Sequence, residues 1–175
     1  MRRTALYHEH VAAGGKMVDF HGWNLPIQYK GIIPEHHHTR SEVSIFDCSH
    51  MGEFLLKGAK AIRTLENMVF NDMLCLRVSR CRYTSLLDVC GGIIDDVIAM
   101  KLAEDELFVV TNAGPLDKVS RIMARLCFAE EQSDQLSKID VQGPKSREVM
   151  LRLGFSAIAP LKYFQACRMQ WRGAD

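Results

Sequence analysis

The feature that most constrains this chain lies at residues 91–98. A glycine pair is followed there at once by a β-branched run that contains two adjacent carboxylates. Paired glycines mark a tight turn and Ile/Val runs mark strands, so these residues predict a turn that leads into a strand. Because successive strand side chains point to opposite faces, Asp95 and Asp96 must lie in different environments. A carboxylate on the packed face is costly unless it has a partner or a function. The sequence therefore leaves two alternatives: a solvated aspartate beside a turn aspartate, or one functional carboxylate in the wall of a pocket.

The composition of the 175 residues is that of a globular protein and fits one domain of ordinary size. Lys and Arg number 22 against 21 Asp and Glu, which leaves a net charge of +1 and no global field to recruit nucleic acid. No apolar run approaches the ~20 residues that span a bilayer, and the N-terminus does not have the apolar segment of a secretory signal. The cysteines contain no Cys-x-x-Cys pair and predict reduced thiols in a cytosol or mitochondrial matrix; they are Cys48, Cys75, Cys81, Cys90, Cys127 and Cys167.

Helical patterns alternate with hairpin-connected strands, which predicts an α+β fold with a largely antiparallel sheet flanked by helices. Predicted helices cover 4–13, 33–43, 59–69, a segment opened by Pro115, and 145–153; the Pro115 helix carries the apolar stripe Leu116, Val119, Ile122, Met123 and Leu126. Predicted strands cover 16–20, one or two pieces of 46–56, 81–88, 93–102, 107–111 and 139–142. We expect 22–26 to be irregular because Pro26 bars a central strand, 129–137 to be a loop, and the alternating tail to begin a strand.

Two polar runs invite a catalytic or metal interpretation that their spacing does not support. Adjacent helical residues do not share a face, so His36, His37 and His38 cannot chelate one ion, and we expect a solvated helix face and no metal. In the run DCSH at 47–50, a nucleophile and its base stand side by side, whereas the fold usually brings such groups together. We therefore expect His50 to be a hydrogen-bonded structural histidine.

Five groups of residues, from Thr4 to about Leu153, carry a more specific signal together than any does alone. They are GKMVDF at 15–20 with GW at 22–23 and LPIQY at 25–29, FDCSHMG at 46–52, ND at 71–72, GGIIDD at 91–96 and VQGPK at 141–145. In these residues and their order the chain resembles the aminomethyltransferases, the T-proteins of the glycine cleavage system.

The resemblance implies an activity and its partners. T-proteins take the aminomethyl group from the lipoyl arm of H-protein, release ammonia and pass the one-carbon unit to tetrahydrofolate, which is their co-substrate. The implied partners are lipoylated H-protein and tetrahydrofolate, with no nucleic acid or membrane, in the bacterial cytoplasm or, in a eukaryote, the mitochondrial matrix. The family fold has three domains around a central folate site. Residues 1–175 would form the first, folate-binding domain, truncated before the second and inactive alone.

The resemblance also assigns site residues. It makes Asp96 the catalytic aspartate beside the folate pterin, where a carboxylate can orient the folate, accept a proton and stabilise an iminium cation. Met51, Leu55, Tyr83 and Asn112 match wall positions that offer apolar contact, ring stacking and an amide. From the residues alone, Met51 and Leu55 are equally well explained as ordinary core. We expect Asp95→Asn to cost far less activity than Asp96→Asn, because Asp95 lies on the opposite strand face.

Two other functions share the implied fold. One is a non-catalytic folate-binding relative that assists iron–sulfur assembly, and the other is the folate module of a dimethylglycine- or sarcosine-oxidising enzyme. Asp96 and the run SHMG at 49–52 favour the transferase. The oxidising enzyme would carry a flavin domain upstream, and a resemblance that begins near Arg3 argues against it.

Overall fold

Three antiparallel sheets organise the described part of the chain in this computed structural model. The structure describes residues 1–125 and 129–173, so Leu126 of the predicted apolar stripe, Cys127 and the last two residues lie outside the described residues. The chain divides into two compact units, Met1–His50 with Leu136–Ser156 and Met51–Gln135 with Ala157–Asp175. The predicted α+β class, with antiparallel strands flanked by helices, is confirmed.

The elements follow the predicted order closely. In chain order they are α1 (Tyr7–Ala12), β1 (Lys16–Phe20), β2 (Trp23–Gln28), α2 (Ile32–Ser41), β3 (Ser44–Asp47), β4 (Gly52–Lys57), α3 (Ala59–Glu66), β5 (Cys81–Leu87), β6 (Ile93–Ala103), β7 (Glu106–Thr111), α4 (Leu116–Arg125), β8 (Ala129–Glu131), β9 (Ile139–Gln142), α5 (Ser146–Arg152) and a 3-10 turn, Ser156–Ile158. Within the described residues, no helix has both the length and the apolar character that crossing a membrane requires.

The first unit contains the β1–β2 hairpin and the β3–β9 pair. A buried histidine of α1 links them. His10 Nε2 lies 2.9 Å from Asp47 Oδ2 at the end of β3, and its Nδ1 lies 2.7 Å from the hydroxyl of Tyr29, just after β2. Asp47 also accepts the backbone N–H of Ser49 at 3.0 Å. This network of polar side chains fastens α1 to both strand pairs.

The second unit is built on a five-stranded sheet in the order β5-β6-β7-β4-β8. One face of this sheet packs against α3 and α4 and forms the hydrophobic core. Leu65 of α3 and Met123 of α4 are buried there, as are Phe54, Leu56, Val97 and Val109 of the strands. The helices therefore cover one face of the sheet and leave its other face to the residues between them in strand alternation.

Three local predictions are wrong. Of residues 22–26, expected to be irregular, all but Gly22 lie in β2, because a two-stranded sheet consists only of edge strands and an edge strand tolerates Pro26. Part of the loop expected at 129–137 is β8, whose backbone pairs with β4. The C-terminal alternation does not produce a strand among the described residues, where Gln165 and Trp171 take part only in isolated bridges.

Candidate active site

The hairpin between β5 and β6 fixes where the two aspartates begin. Asp88 closes the turn by accepting the backbone N–H groups of Cys90 and Gly92 at 2.9 and 2.8 Å. Gly91 adopts a φ of 81°, in the left-handed region that glycine enters without strain. The predicted glycine turn is confirmed, and β6 starts directly after it.

Strand alternation separates Asp95 from Asp96, as the sequence predicts. Asp95 pairs with the buried Leu86 of β5 and is only 6% exposed, whereas Asp96 is exposed on the opposite face. The carboxylate on the packed side is thus Asp95, and the one available to a ligand is Asp96. The accessible position of Asp96 agrees with the role that the resemblance gives it.

Tyr83 holds one oxygen of Asp96. The Tyr83 hydroxyl donates to Asp96 Oδ2 at 2.8 Å, and the ring is 54% exposed. This hydrogen bond is the main cause that raises the pKa of Tyr83 above its ordinary value, so the phenol stays protonated and remains a donor. Tyr83 therefore orients the carboxylate and presents an open ring face beside it.

Asn112, which follows the last residue of β7, joins both aspartates. Its Nδ2 donates to the backbone oxygen and Oδ1 of Asp96, each at 3.1 Å, and to Oδ1 of Asp95 at 2.9 Å. Its backbone N–H donates to Asp95 Oδ2 at 2.9 Å. Asp96, Tyr83 and Asn112, which the sequence places far apart, are thus brought into one hydrogen-bonded group.

Met51 and Leu55 lie on β4 or at its start, and no hydrogen bond could join their apolar side chains to this group. If the β4–β7 register continues by one residue, Met51 stands opposite Asn112, while Leu55 pairs with Phe108. The two positions are about 13 Å apart along the strand. Leu55 is 5% exposed and Met51 is half-buried, so in this structure Leu55 packs as a core residue.

Glu53 is a buried carboxylate that none of the sequence motifs indicates. This residue lies between Met51 and Leu55 in strand alternation, opposite Val110, and is 5% exposed. Glu53 interrupts the apolar run GEFLLK of β4, just as the aspartate pair interrupts the apolar run of β6. This pattern of an acidic residue within an apolar strand could have indicated it. Glu53 is therefore a buried acidic group on the sheet face that carries the candidate site.

Apolar side chains extend from the polar group along the same face. By strand alternation and register, Ile98 of β6 and Val110 of β7 lie next to one another on the face of Asp96, with Met100 and Phe108 one step further. The face thus combines a polar end, rich in carboxylate oxygens, with an apolar strip. Such a surface suits a flat ligand that brings N–H donors at one end.

The other polar runs do not form a second catalytic group. All three histidines at 36–38 are exposed on α2, as predicted. Ser49 is buried and its hydroxyl lies 3.4 Å from the backbone oxygen of Lys138. The hydrogen bond expected at His50 is not made by Nδ1, which is buried without a partner among the described residues, and the ring lies edge-on to Phe20.

Known proteins resemble the chain in sequence and in fold. The "Aminomethyltransferase" of Chlorobium luteolum is 36% identical over all of this chain and 50% of its own length, and that of Chloroherpeton thalassium is 37% identical over 94% and 47%. The crystal structure of glycine cleavage system aminomethyltransferase T from Bartonella henselae superposes with a TM-score of 0.87 at 29% identity, covering 97% of this chain and 48% of that one. The chain spans about half the length of these relatives.

The family assignment rests on a match that runs through both compact units. The sequence profile of the GCVT N-terminal domain matches residues 6–175. The match therefore includes the β5–β6 hairpin and every residue of the candidate site. This chain belongs to the GCVT N-terminal domain family.

Proposed function

We propose that the protein carrying this chain is an aminomethyltransferase of the glycine cleavage system. It would move the one-carbon unit from the aminomethyl-lipoyl arm of H-protein to tetrahydrofolate and release ammonia. The observation that carries the proposal is an exposed Asp96 held by Tyr83 and Asn112 within a GCVT N-terminal domain. The names of the relatives support the transferase over the two related functions that share the fold.

Tetrahydrofolate is the proposed ligand of the sheet face described above. The pterin, a flat heterocycle with N–H groups on its edge, would meet the Asp96 carboxylate and the Asn112 amide. Tyr83 offers its exposed ring for stacking. Met51 and the apolar strip would contact the ring and the atoms that follow it, and the buried Leu55 would pack beside Phe108 at the far end of the strip.

Asp96 has the chemistry that the transfer needs. The aminomethyl carbon exchanges its bonds to sulfur and ammonia for bonds to two folate nitrogens, and the two N–H protons of the folate end on the lipoyl thiol and on ammonia. An accessible carboxylate can hold such a proton transiently between the folate nitrogen and the leaving group, and it can stabilise the iminium cation that precedes ring closure. Tyr83 and Asn112 hold that carboxylate in place before substrate arrives.

H-protein, with its lipoyl arm, is the proposed macromolecular partner, and the bacterial cytoplasm or a mitochondrial matrix is the proposed location. The lipoyl arm has to bring the aminomethyl carbon to the face that carries Asp96, because that carboxylate is the acidic group exposed to the proposed ligand. The bacterial relatives support the cytoplasmic alternative.

The test measures methylenetetrahydrofolate formation by the complete gene product that carries this chain, supplied with aminomethylated H-protein and tetrahydrofolate. We expect Asp96→Asn to lower kcat about 100- to 10,000-fold, because it removes the charge and the proton acceptor while it keeps the shape. Asp117→Asn, which changes an exposed carboxylate in the first turn of α4, is the matched control and should retain wild-type turnover.

Two results would overturn the proposal. Tight tetrahydrofolate binding by the unmodified gene product, with no transfer under any condition, would place the protein with the non-catalytic folate-binding relatives. Turnover that survives Asp96→Asn unchanged would show that the carboxylate is not part of the chemistry.

A further inference from the structure

Asp95, the buried member of the aspartate pair, accepts two hydrogen bonds from a single residue. Its Oδ2 receives the backbone N–H of Asn112 and its Oδ1 receives the side-chain amide of the same residue, both at 2.9 Å. Asp95 is 6% exposed, so these bonds form where water competes little. The carboxylate therefore clamps both the backbone and the side chain of Asn112.

The surroundings of the Asn112 amide permit one orientation. Its Nδ2 faces three oxygen atoms: Oδ1 of Asp95, and the backbone oxygen and Oδ1 of Asp96. A flipped amide would place its own oxygen against those three acceptors, which is unfavourable. The N–H groups are thus committed to the aspartates, and the amide oxygen is left to accept from a ligand.

Only a carboxylate at position 95 provides both acceptors. An asparagine there has one oxygen and one NH2 group, so one of the two Asn112 donors would meet another donor. The buried donor would lose its partner, and unpaired buried polar groups are costly. Strand alternation alone predicts that Asp95→Asn costs far less than Asp96→Asn, and these contacts add that Asp95→Asn has a cost of its own.

We propose that Asp95 is a positioning residue that fixes the Asn112 amide and, through it, one oxygen of Asp96. Asp95 does not touch the proposed ligand. It sets which atom of Asn112 faces that ligand and keeps the amide in place to bond Oδ1 of Asp96. The structural part of this inference is independent of the proposed function, whereas its effect on turnover rests on that function.

The structural part is tested by NMR on the 175-residue chain without any ligand. The Asn112 side-chain amide protons should exchange with solvent more slowly than those of the exposed Asn67. Asp95→Asn should shift the Asn112 side-chain signals and bring their exchange up to the rate of Asn67. The matched control is Asp88→Asn, which removes a carboxylate charge from the same hairpin without touching Asn112. Both N–H groups that Asp88 accepts bond its Oδ1, which an amide oxygen can replace, so this variant should leave the Asn112 signals in place.

The functional part uses a double-mutant cycle on the complete gene product. We expect Asp95→Asn to lower kcat about 10- to 100-fold, the usual effect of a small misplacement, and Asp88→Asn to leave it unchanged. In an Asn112→Ala background, Asp95→Asn should lower kcat by less than about 2-fold, because Asp95 would act through Asn112.

Each outcome decides a separate point. Fast exchange of the Asn112 amide in the unmodified chain would overturn the inference even if Asp95→Asn failed to fold, and would leave the proposed transferase standing. Independent losses from Asp95→Asn and Asn112→Ala would show that Asp95 acts by another route. Absence of transfer in the unmodified gene product would defeat the proposed function, while the amide exchange would still report on the clamp.

Discussion

Two titratable residues of the first unit connect its stability to pH. Burial, the largest effect at Asp47, would raise the pKa of its carboxyl, but the hydrogen bonds to it, including those from His10 and Ser49, outweigh burial and lower the pKa. Burial also lowers the pKa of His50, and nearby Lys138 and His21 add to that effect against the attraction of Asp47. Both residues therefore resist protonation in the folded protein.

Because both pKa values are lower in the folded than in the unfolded state, both groups contribute stability that is lost as the pH falls. For His50 the loss begins below about pH 6.5, and for Asp47 it begins below about pH 3.9, the ordinary values of the two groups. We expect the urea concentration at the midpoint of unfolding to fall as the pH is lowered from 7.5 to 5.5. His50→Gln should make this dependence on pH weaker. The exposed His8, changed to Gln, is the control. Equal slopes in all three proteins would show that His50 is not the sensing group.

At the scale of elements, Gly52 decides how closely β4 and α4 approach. A Cβ built at position 52 would come closer than van der Waals contact to Leu116 at the start of α4 and to the buried Thr111 of β7. The backbone of Gly52 is not in the left-handed region, so the close approach, and not the backbone, requires glycine here.

We therefore expect Gly52→Ala to destabilise the protein by about 1–3 kcal/mol, as overpacking of a core does. Gly92→Ala is the control, since it also lies outside the left-handed region. Its new Cβ would meet only the carboxylate end of the exposed Asp88 side chain, and a small shift there would weaken at most two exposed hydrogen bonds. The measurement is the free energy of unfolding by urea for both variants. A loss for Gly92→Ala as large as that for Gly52→Ala would contradict the packing argument.

The predicted elements show where sequence periodicity is sufficient and where it is not. The strand after Gly92 and the helix after Pro115 carry strong local patterns, and both form within a few residues of the prediction. The strand containing Pro26 was missed because local chemistry does not reveal that its sheet has only two strands. Likewise β8 is short and polar, and its pairing with β4 is a long-range interaction that no local pattern reports.

The candidate site follows the same division. Alternation along β6 predicts that Asp95 and Asp96 face opposite environments, and this is confirmed. Alternation could not predict that Asn112 reaches both carboxylates, since this contact depends on the β6–β7 register and on the residue at which β7 ends. The residue roles themselves came from the family resemblance, and they stay predictions until the variants are measured.

At the scale of the whole molecule, the proposed site would be one wall of a folate pocket. The chain matches 47% of the length of the Chloroherpeton thalassium relative. The resemblance places the arginine and glutamate segments that hold much of the folate, including its glutamate tail, outside this first domain. The face around Asp96 would therefore supply the reacting carboxylate and the apolar strip, but only part of the binding free energy.

We accordingly expect the 175-residue chain to bind tetrahydrofolate at least ~100-fold more weakly than the full-length Chloroherpeton thalassium protein. The loss of two charge-assisted contacts removes roughly 3 kcal/mol, which corresponds to that factor. Calorimetry with both proteins measures the difference, and a cooperative thermal transition of the chain shows that weak binding does not come from unfolding. The residual affinity should fall further in Tyr83→Ala, because the exposed ring is the proposed stacking surface. Equal affinity of the chain and the full-length relative would mean that this domain alone holds the folate, and that the remaining half of the relatives serves another step of the transfer.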